Sequence, residues 1–255
     1  MNALFDDLMR AFGLVEPLAQ PAFLTFLRVG AAISMLPGIG ETSLPARLRL
    51  ALAVMLSMAM LPSTAALPMT GTLVTAFLPE VVIGLTIGFA LRGFVFALSI
   101  AGSIVANSTS LAQLFSPGQE PQPAIAQLLT LGGISLALEA DLLPKAVGFL
   151  LASYDALPLG QWPEAGEAAS WAARHGDMAL SLGLQLSLPF LIGSLLYNLA
   201  LGIINRAMPQ LMVTFIGAPA LSLGGLALLA VAVPVMLSVW LAAFNGFLGN
   251  PGWGQ

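Results

Sequence analysis

The side chains that could carry out chemistry are few in this sequence. Its 255 residues contain no cysteine and one histidine. The absence of cysteine excludes disulfides, thiolate metal sites and cysteine nucleophiles. His175 lies in a polar stretch, between Arg174 and Gly176, and stands outside the apolar stretches, so we do not expect it to form a serine dyad within them. We therefore predict that His175 is a solvated loop residue.

Sequence motifs for catalysis and for cofactor binding are also missing. There is no HExxH, no GxSxG and no glycine-rich phosphate loop followed by lysine. Glu139 and Asp141 stand two residues apart and would face different directions on a helix. The eight Lys and Arg residues are scattered, apart from Arg47 and Arg49, so the basic patch that nucleic acid requires is absent. We predict no enzymatic activity, no metal or cofactor, and no nucleic-acid partner.

Three charged residues stand inside apolar stretches: Arg28, Glu80 and Arg92. A charge in lipid is costly and needs water, a partner or a protein interior. Either these residues pair structurally, or Glu80 and Arg92 mark the site of a small-solute transporter. A transporter usually has related halves, and the sequence has no convincing internal repeat. Structural pairing is therefore favoured.

The composition sets the class of fold that must position these residues. The chain is 58% hydrophobic and 8% charged, whereas soluble domains are about 25% charged. About 20 apolar residues in a helix cross a bilayer. We predict an all-α integral membrane protein with about six hydrophobic helical segments in bent, interrupted hairpins, the third and sixth long enough to be split or re-entrant. The segments are 21–36, 47–62, 73–114, 124–143 with an amphipathic extension to 156, 178–204 and 207–255.

Two more polar stretches flank these segments. Residues 1–20 are an amphipathic N-terminal segment, predicted to be a short helix that lies along a membrane interface or packs on a partner subunit. Residues 155–177 are the largest hydrophilic insert, and Trp162 and Trp171 suit a membrane interface.

Gly84 and Gly88 form a small-xxx-small pair, which predicts close helix packing. The whole chain, 1–255, is predicted to be one membrane-embedded domain.

One long string near the C-terminus resembles a known family. Residues 198–226, NLALGIINRAMPQLMVTFIGAPALSLGGL, are similar to the C-terminal signature of the FliR family, the export-gate subunit of flagellar type III secretion, whose injectisome counterparts are called SctT. The family pattern falls on Asn198, Leu201, Gly202, Arg206, Pro209, Gln210, Gly217 and Pro219.

The resemblance extends over nearly the whole chain. It includes FLTFLRVGAAISMLPGIGETSLPARLRLALAV near the start, Glu80 with Gly84 and Gly88, and Ser153-Tyr154 followed by Leu157-Pro158. One region departs from the family. Where members commonly have an acidic residue, a glutamine and a glycine, this chain has Asn, Ser, Thr and Ser at 107–110.

The resemblance implies a non-enzymatic channel subunit of the bacterial inner membrane, located at the flagellar basal body. Family members assemble with FliP-like, FliQ-like and FlhB-like subunits into a helical hetero-oligomer through which unfolded protein substrates leave the cytoplasm. The implied fold is similar to FliP and FliQ elements joined in one chain, in contact with membrane lipid and partly lifted out of the bilayer. Overall similarity favours flagellar use, with an injectisome subunit as the alternative.

A pore that secretes protein must stay closed to ions at rest, and apolar side chains can exclude water from a constriction. The segment 107–123 begins with Ser and Thr, continues with Leu111, Leu114 and Phe115, and ends in a Pro/Gly stretch that cannot be helical. The corresponding family loop is thought to reach into the pore. The three apolar residues are therefore predicted to form a pore plug, the alternative being an ordinary connecting loop.

Overall fold

The computed structural model describes residues 2–40, 44–68, 71–108, 124–207, 213–250 and 252. These residues form seven helices and no strand. The helices are α1 Asn2–Met35, α2 Ala46–Thr64, α3 Leu73–Ser108, α4 Ala124–Glu139, α5 Leu142–Ala156, α6 Ala165–Ala207 and α7 Val213–Gly249. Five of them are long and apolar enough to cross a membrane, and α4 is a shorter apolar helix. The predicted all-α membrane class, with about six hydrophobic segments, is confirmed.

The first two helices form the predicted hairpin. A tight turn after α1 is closed by the backbone N–H groups of Ile39 and Gly40, which both donate to the carbonyl of Leu36. Gly38 has φ +78° in this turn, a conformation that strains residues with a Cβ. Helices α1 and α2 then pack against each other, and α2 also contacts α5.

One expectation about helix ends was wrong. Residues 1–20 are not a separate short helix, because α1 runs without a break from Asn2 to Met35. The third hydrophobic segment was expected to be either two helices or one bent helix, and its described part is one helix, since α3 is continuous over 36 residues, about 54 Å at 1.5 Å per residue. Extending a helix costs much less free energy than nucleating a new one, which favours few long helices over many short ones.

Prolines inside the last two helices do not end them, and the sixth hydrophobic segment, expected to be split or re-entrant, contains one helix over Val213–Gly249. Pro189 lies inside α6, and both Pro219 and Pro234 lie inside α7. A proline removes one backbone donor and crowds the preceding turn. In membrane proteins, neighbouring helices and side chains can satisfy the freed carbonyl, so that the helix continues.

The polar insert predicted for 155–177 is mostly helical. Only residues 157–164 lie between α5 and α6, and the rest of the polar stretch forms the start of α6. This part is rich in alanine, the strongest helix former. His175 is therefore half-buried on a helix rather than in a solvated loop. Glu139 and Asp141 do not share a helix either, because Glu139 ends α4 and Asp141 has φ +61° in the following turn.

The chain divides into two compact units, neither of them a continuous stretch of sequence. The first unit contains Met1–Arg92, Asp141–Arg174 and Phe247–Gln255, and the second contains Gly93–Ala140 and His175–Gly246. Since both units combine segments distant in sequence, the chain cannot be cut into sequential domains. The organisation of 1–255 as one membrane-embedded domain stays a prediction.

Aromatic side chains anchor the core of each unit. In the second unit the indole N–H of Trp240 donates to the carbonyl of Phe94 at 2.7 Å, and Phe244 lies against both rings at 5.1–5.2 Å. In the first unit the ring of Phe247 lies 5.0 Å from that of Phe149 and 6.4 Å from that of Trp171. Such ring pairs add stability beyond the area they bury.

Candidate functional site

The first unit is built around a fully buried ion pair between Arg28 on α1 and Glu80 on α3. Both side chains have 0% solvent exposure. Nε of Arg28 donates to Oε2 of Glu80 at 2.7 Å, and Nη2 donates to Oε1 at 3.0 Å. This two-pronged geometry is the strongest arrangement of an arginine and a carboxylate.

The remaining partners of Arg28 come from α5 and the residue that follows it. Nη1 donates to the Ser153 hydroxyl at 3.1 Å, and Nη2 also donates to the Leu157 carbonyl at 2.9 Å. The guanidinium carbon lies 3.9 Å from the centre of the Tyr154 ring, close enough for a cation–π attraction. Helix α5, which carries Tyr154, is too short to be a candidate membrane span.

Burial of the Tyr154 side chain raises the pKa of its phenol to about 12. The hydroxyl therefore keeps its proton, and the ring that faces the cation is uncharged.

Glu80 has one further partner, in the loop between α5 and α6. The backbone N–H of Gly160 donates to Oε1 of Glu80 at 2.9 Å. Gly160 has φ +77°, which a residue with a side chain rarely adopts, so glycine allows the loop to present this donor. The ion pair thereby joins α1, α3, α5 and the loop 157–164 through one set of hydrogen bonds.

This network supports a structural role. Burying two charges costs several kcal/mol per ion, and only good geometry with further hydrogen bonds offsets that cost. Here both oxygens of Glu80 accept hydrogen bonds, and three nitrogens of Arg28 donate them. A transported proton or ion would have to break these bonds, so the arrangement is suited to fixing helices and not to carrying a solute.

The helix face that carries Glu80 also brings α3 very close to α1. Glu80, Gly84 and Gly88 are spaced four residues apart, which places them along one face. A Cβ on Gly84 would lie 2.3 Å from the Arg28 carbonyl oxygen, and one on Gly88 would lie 2.7 Å from that of Ala32. The backbones of the two helices meet here, so both positions require a residue without a side chain.

Arg92 does not belong to this network. It lies twelve residues beyond Glu80 on the same helix, about 18 Å along the axis at 1.5 Å per residue, which is too far for a direct ion pair. The site near Glu80 and Arg92 that a transporter would need is therefore not formed by these two residues.

Sequence reasoning singled out the two charges but missed their other partners. In the sequence, Ser153, Tyr154 and Leu157 belong only to the family resemblance, and no motif marks Gly160. The string Ser153-Tyr154 followed by Leu157-Pro158 was the one available signal. It could not identify a contact, because Ser153 is 125 residues from Arg28.

The signature residues that the structure describes lie at the end of α6 and in the first half of α7. Asn198, Gly202, Arg206 and Pro219 are exposed. The amide of Asn198 donates to the carbonyl of Ser194, one turn earlier on α6. Gly217 is buried, and its carbonyl accepts a hydrogen bond from the Tyr197 hydroxyl. This bond ties the two helices together on either side of the connection between them.

Some predicted positions lie outside the described residues. They are Pro209 and Gln210 of the signature and the plug candidates Leu111, Leu114 and Phe115. Within the described part of the chain, no three His, Cys, Asp or Glu residues are grouped so that they could hold a metal ion.

Comparison with known proteins places the chain in a family. The family model for "Bacterial export proteins, family 1" matches residues 19–247. The flagellar biosynthetic protein FliR of Caulobacter vibrioides is 34% identical over 235 residues, which cover 89% of this chain and 94% of that protein. The FliR of Escherichia coli is 30% identical over 84% of each chain, and that of Aquifex aeolicus is 27% identical over 88% of this chain and 89% of its own. This chain therefore belongs to the bacterial export proteins of family 1.

Proposed function

We propose that this chain is a structural and channel subunit of the flagellar type III export gate, through which unfolded flagellar proteins cross the bacterial inner membrane at the basal body. The observation that carries the proposal is the family match over residues 19–247, together with FliR relatives that align over most of both chains. In this role the chain assembles with FliP-like, FliQ-like and FlhB-like subunits and performs no enzymatic step.

The exposed apolar surfaces of α6 and α7 support an assembled state. In α6, only 11% of the most apolar stretch is buried within the chain. The buried share of the most apolar stretch is 17% in α7 and 61% in α3. Such surfaces need lipid or a partner protein to cover them. Their large exposed side chains include Leu188, Leu195, Leu199 and Ile203 on α6, and Leu223, Val231 and Val235 on α7.

The exposed polar residues of the signature favour a protein partner over lipid for part of this surface. Arg206 is exposed in the last turn of α6, where the helix dipole stabilises a cation but hydrocarbon would not. The exposed Asn198 lies two turns earlier, among apolar neighbours. We assign both residues to contacts with other gate subunits.

The two alternative functions receive less support. An ordinary solute transporter would need an accessible charged site, whereas Arg28 and Glu80 bind each other in the protein interior. An injectisome subunit would share the family, but the relatives described above all carry flagellar names.

Complementation tests the proposal directly. We expect this chain, expressed in Caulobacter vibrioides lacking its own FliR, to restore motility and the release of flagellar subunits into the medium. A tagged chain should co-purify with the host's FliP-like and FliQ-like proteins. Expressed alone, it should extract poorly in detergent, because its exposed apolar faces then have no partner.

The empty vector gives the baseline for secretion, and immunoblotting of membranes confirms that the chain is present. Two results would contradict the export role. One is a chain that accumulates in membranes without restoring secretion or binding the other subunits. The other is a monodisperse, thermally stable monomer purified from cells that lack those subunits.

The pore plug is a second, separable part of the proposal. Replacing Leu111, Leu114 and Phe115 together by glycine removes the apolar side chains that would exclude water from the constriction. We expect the assembled gate to form normally and its resting ion conductance to rise, measured in planar bilayers or by dye leakage from cells.

The control for the plug test is the same triple substitution at exposed leucines elsewhere, Leu128, Leu131 and Leu138 on α4. This variant should leave the resting conductance unchanged. If the gate assembles with the plug residues replaced and leaks no more than the control, then the segment is a connecting loop.

A further inference from the structure

The first unit contains a cleft that the export role does not explain. Its volume is about 420 Å³, within the range of small-ligand sites in proteins. One wall is apolar and is formed by Ile83 on α3, Leu157 in the loop and Trp171 on α6. Ile83 and Trp171 are almost fully buried. The cleft therefore offers an apolar surface that can accept part of a hydrocarbon chain.

The rim of the cleft carries both signs of charge. Glu167, Ser170 and Arg174 line it from α6, and at 3.6 residues per turn their spacing places all three on one helix face. Nη1 of Arg174 donates to the Ser170 hydroxyl at 3.4 Å, and that hydroxyl donates to the Glu167 carbonyl at 2.9 Å. The Arg174 guanidinium therefore lies on the side of Ser170 and Glu167, so that a compact ligand can reach both the guanidinium and the Glu167 carboxylate.

The walls of the cleft are held by the buried ion pair. The carbonyl of Leu157 accepts a hydrogen bond from Arg28, while its side chain lines the cleft. Ile83 lies one turn beyond Glu80 on α3. A site whose walls are fixed by a network of this kind does not need to be ordered by its ligand, which lowers the cost of binding.

We propose that this cleft binds a zwitterionic phospholipid with a primary-amine headgroup. The ammonium donates to the Glu167 carboxylate, the phosphate accepts from Arg174, and the adjoining part of an acyl chain lies against Ile83 and Trp171. Among the residues that the structure describes, the charged groups lining the cleft are Glu167 and Arg174, so a ligand with one charge of each sign matches it. A headgroup with a phosphate alone would meet the Glu167 carboxylate as a like charge.

The position of the cleft along α6 supports a lipid over a soluble ligand. A charge-free run of the sequence, Met178–Ile204, begins four residues after Arg174, so the rim stands where the helix changes from polar to apolar. Trp171 lies at this point, and its almost fully buried ring is part of the apolar wall of the cleft.

Lipid selectivity tests the proposal. The full-length chain, purified with the subunits that accompany it, is mixed with micelles containing equal amounts of phosphatidylethanolamine, phosphatidylcholine and phosphatidylglycerol, and retained lipid is counted by native mass spectrometry. We expect phosphatidylethanolamine to be retained about tenfold over the other two, since one charged hydrogen bond distinguishes them. Phosphatidylcholine keeps the positive charge but cannot donate a hydrogen bond to Glu167.

Variants then assign the site. Glu167→Gln and Arg174→Gln are expected to lower phosphatidylethanolamine retention about tenfold each, whereas Asp177→Asn on the same helix and Arg47→Gln on α2 should leave it unchanged. All four side chains are exposed, so none of these changes should unfold the chain.

Four outcomes would overturn the proposal. Equal retention of the three lipids would show no headgroup site, and a preference for phosphatidylglycerol would show an anionic-lipid site. Displacement of the lipid by soluble phosphoethanolamine at equal concentration would show a soluble ligand. A photo-crosslinker at Pro163, which also lines the cleft, that captures a protein instead of lipid would show a partner's docking site.

Discussion

Replacing Arg28 by leucine is expected to prevent the chain from accumulating in membranes. The substitution leaves Glu80 buried without the arginine that pairs with it, and breaking a buried pair on one side costs about 3–5 kcal/mol. It also removes the donors to Ser153 and to the Leu157 carbonyl. The measurements are the steady-state level in membranes and the thermal unfolding of the extracted protein in detergent.

The double variant Arg28→Leu with Glu80→Leu separates a charge effect from a size effect. Replacing both members of a buried pair by apolar residues is often nearly neutral. We expect the double variant to be more stable than Arg28→Leu alone by about 2 kcal/mol or more, a coupling that only interacting residues show. The exposed Arg47→Leu serves as control and should behave like the parent chain.

The pairing assignment would be wrong if Arg28→Leu accumulated normally. It would also be wrong if the effects of Arg28→Leu and Glu80→Leu simply added in the double variant.

Gly84→Ala is expected to have the second-largest effect. The added methyl group would lie 2.3 Å from the Arg28 carbonyl oxygen and 2.8 Å from the Ala31 Cβ. Neither atom can rotate away, so α1 and α3 must separate. Overpacking of this kind costs about 1–3 kcal/mol, and here the shift also pulls Arg28 away from Glu80. The loss of stability is measured by thermal unfolding, and the loss of function by complementation of motility.

Gly148→Ala is the matched control, because it makes the same substitution on α5, where no described residue outside the local helix backbone comes within 4 Å of the new Cβ. There alanine should stabilise the helix by about 0.5–1 kcal/mol. If Gly84→Ala and Gly148→Ala shifted the unfolding temperature in the same direction, the close approach of α1 and α3 would not be what excludes a side chain at position 84.

Much of the secondary structure could be predicted from the sequence, and the errors share a physical origin. The first hydrophobic segment was predicted to end at residue 36, and a turn follows there in which Pro37, Gly38 and Gly40 stand together. Local rules treat proline as a breaker of an isolated helix. The prolines inside α6 and α7 do not end these helices, because neighbouring structure can satisfy the freed backbone groups. The polarity of residues 155–177 predicts a hydrophilic insert but does not show that most of it is helical, which its alanine content favours.

The candidate site could be predicted only in part. That Arg28 and Glu80 each needed a partner followed from the cost of a charge in an apolar stretch. The sequence did not show that these two residues pair with each other. They are 52 residues apart, and the periodicity of residue types cannot predict a contact between segments so far apart in the chain. The same holds for Gly160, whose positive φ and hydrogen bond to Glu80 belong to a loop that no motif marked.

The sequence alone determined the class of this protein and its family, because composition and an uninterrupted string of residue types are local properties that need no contacts. It also determined that Gly84 and Gly88 share a helix face, since spacing along a helix fixes direction. Only the tertiary structure decided what that face meets, which helices the ion pair joins and where the cleft lies. Those features depend on which segments come together. The free energy of burial, summed over the whole chain, selects that arrangement, and no single stretch of sequence determines it.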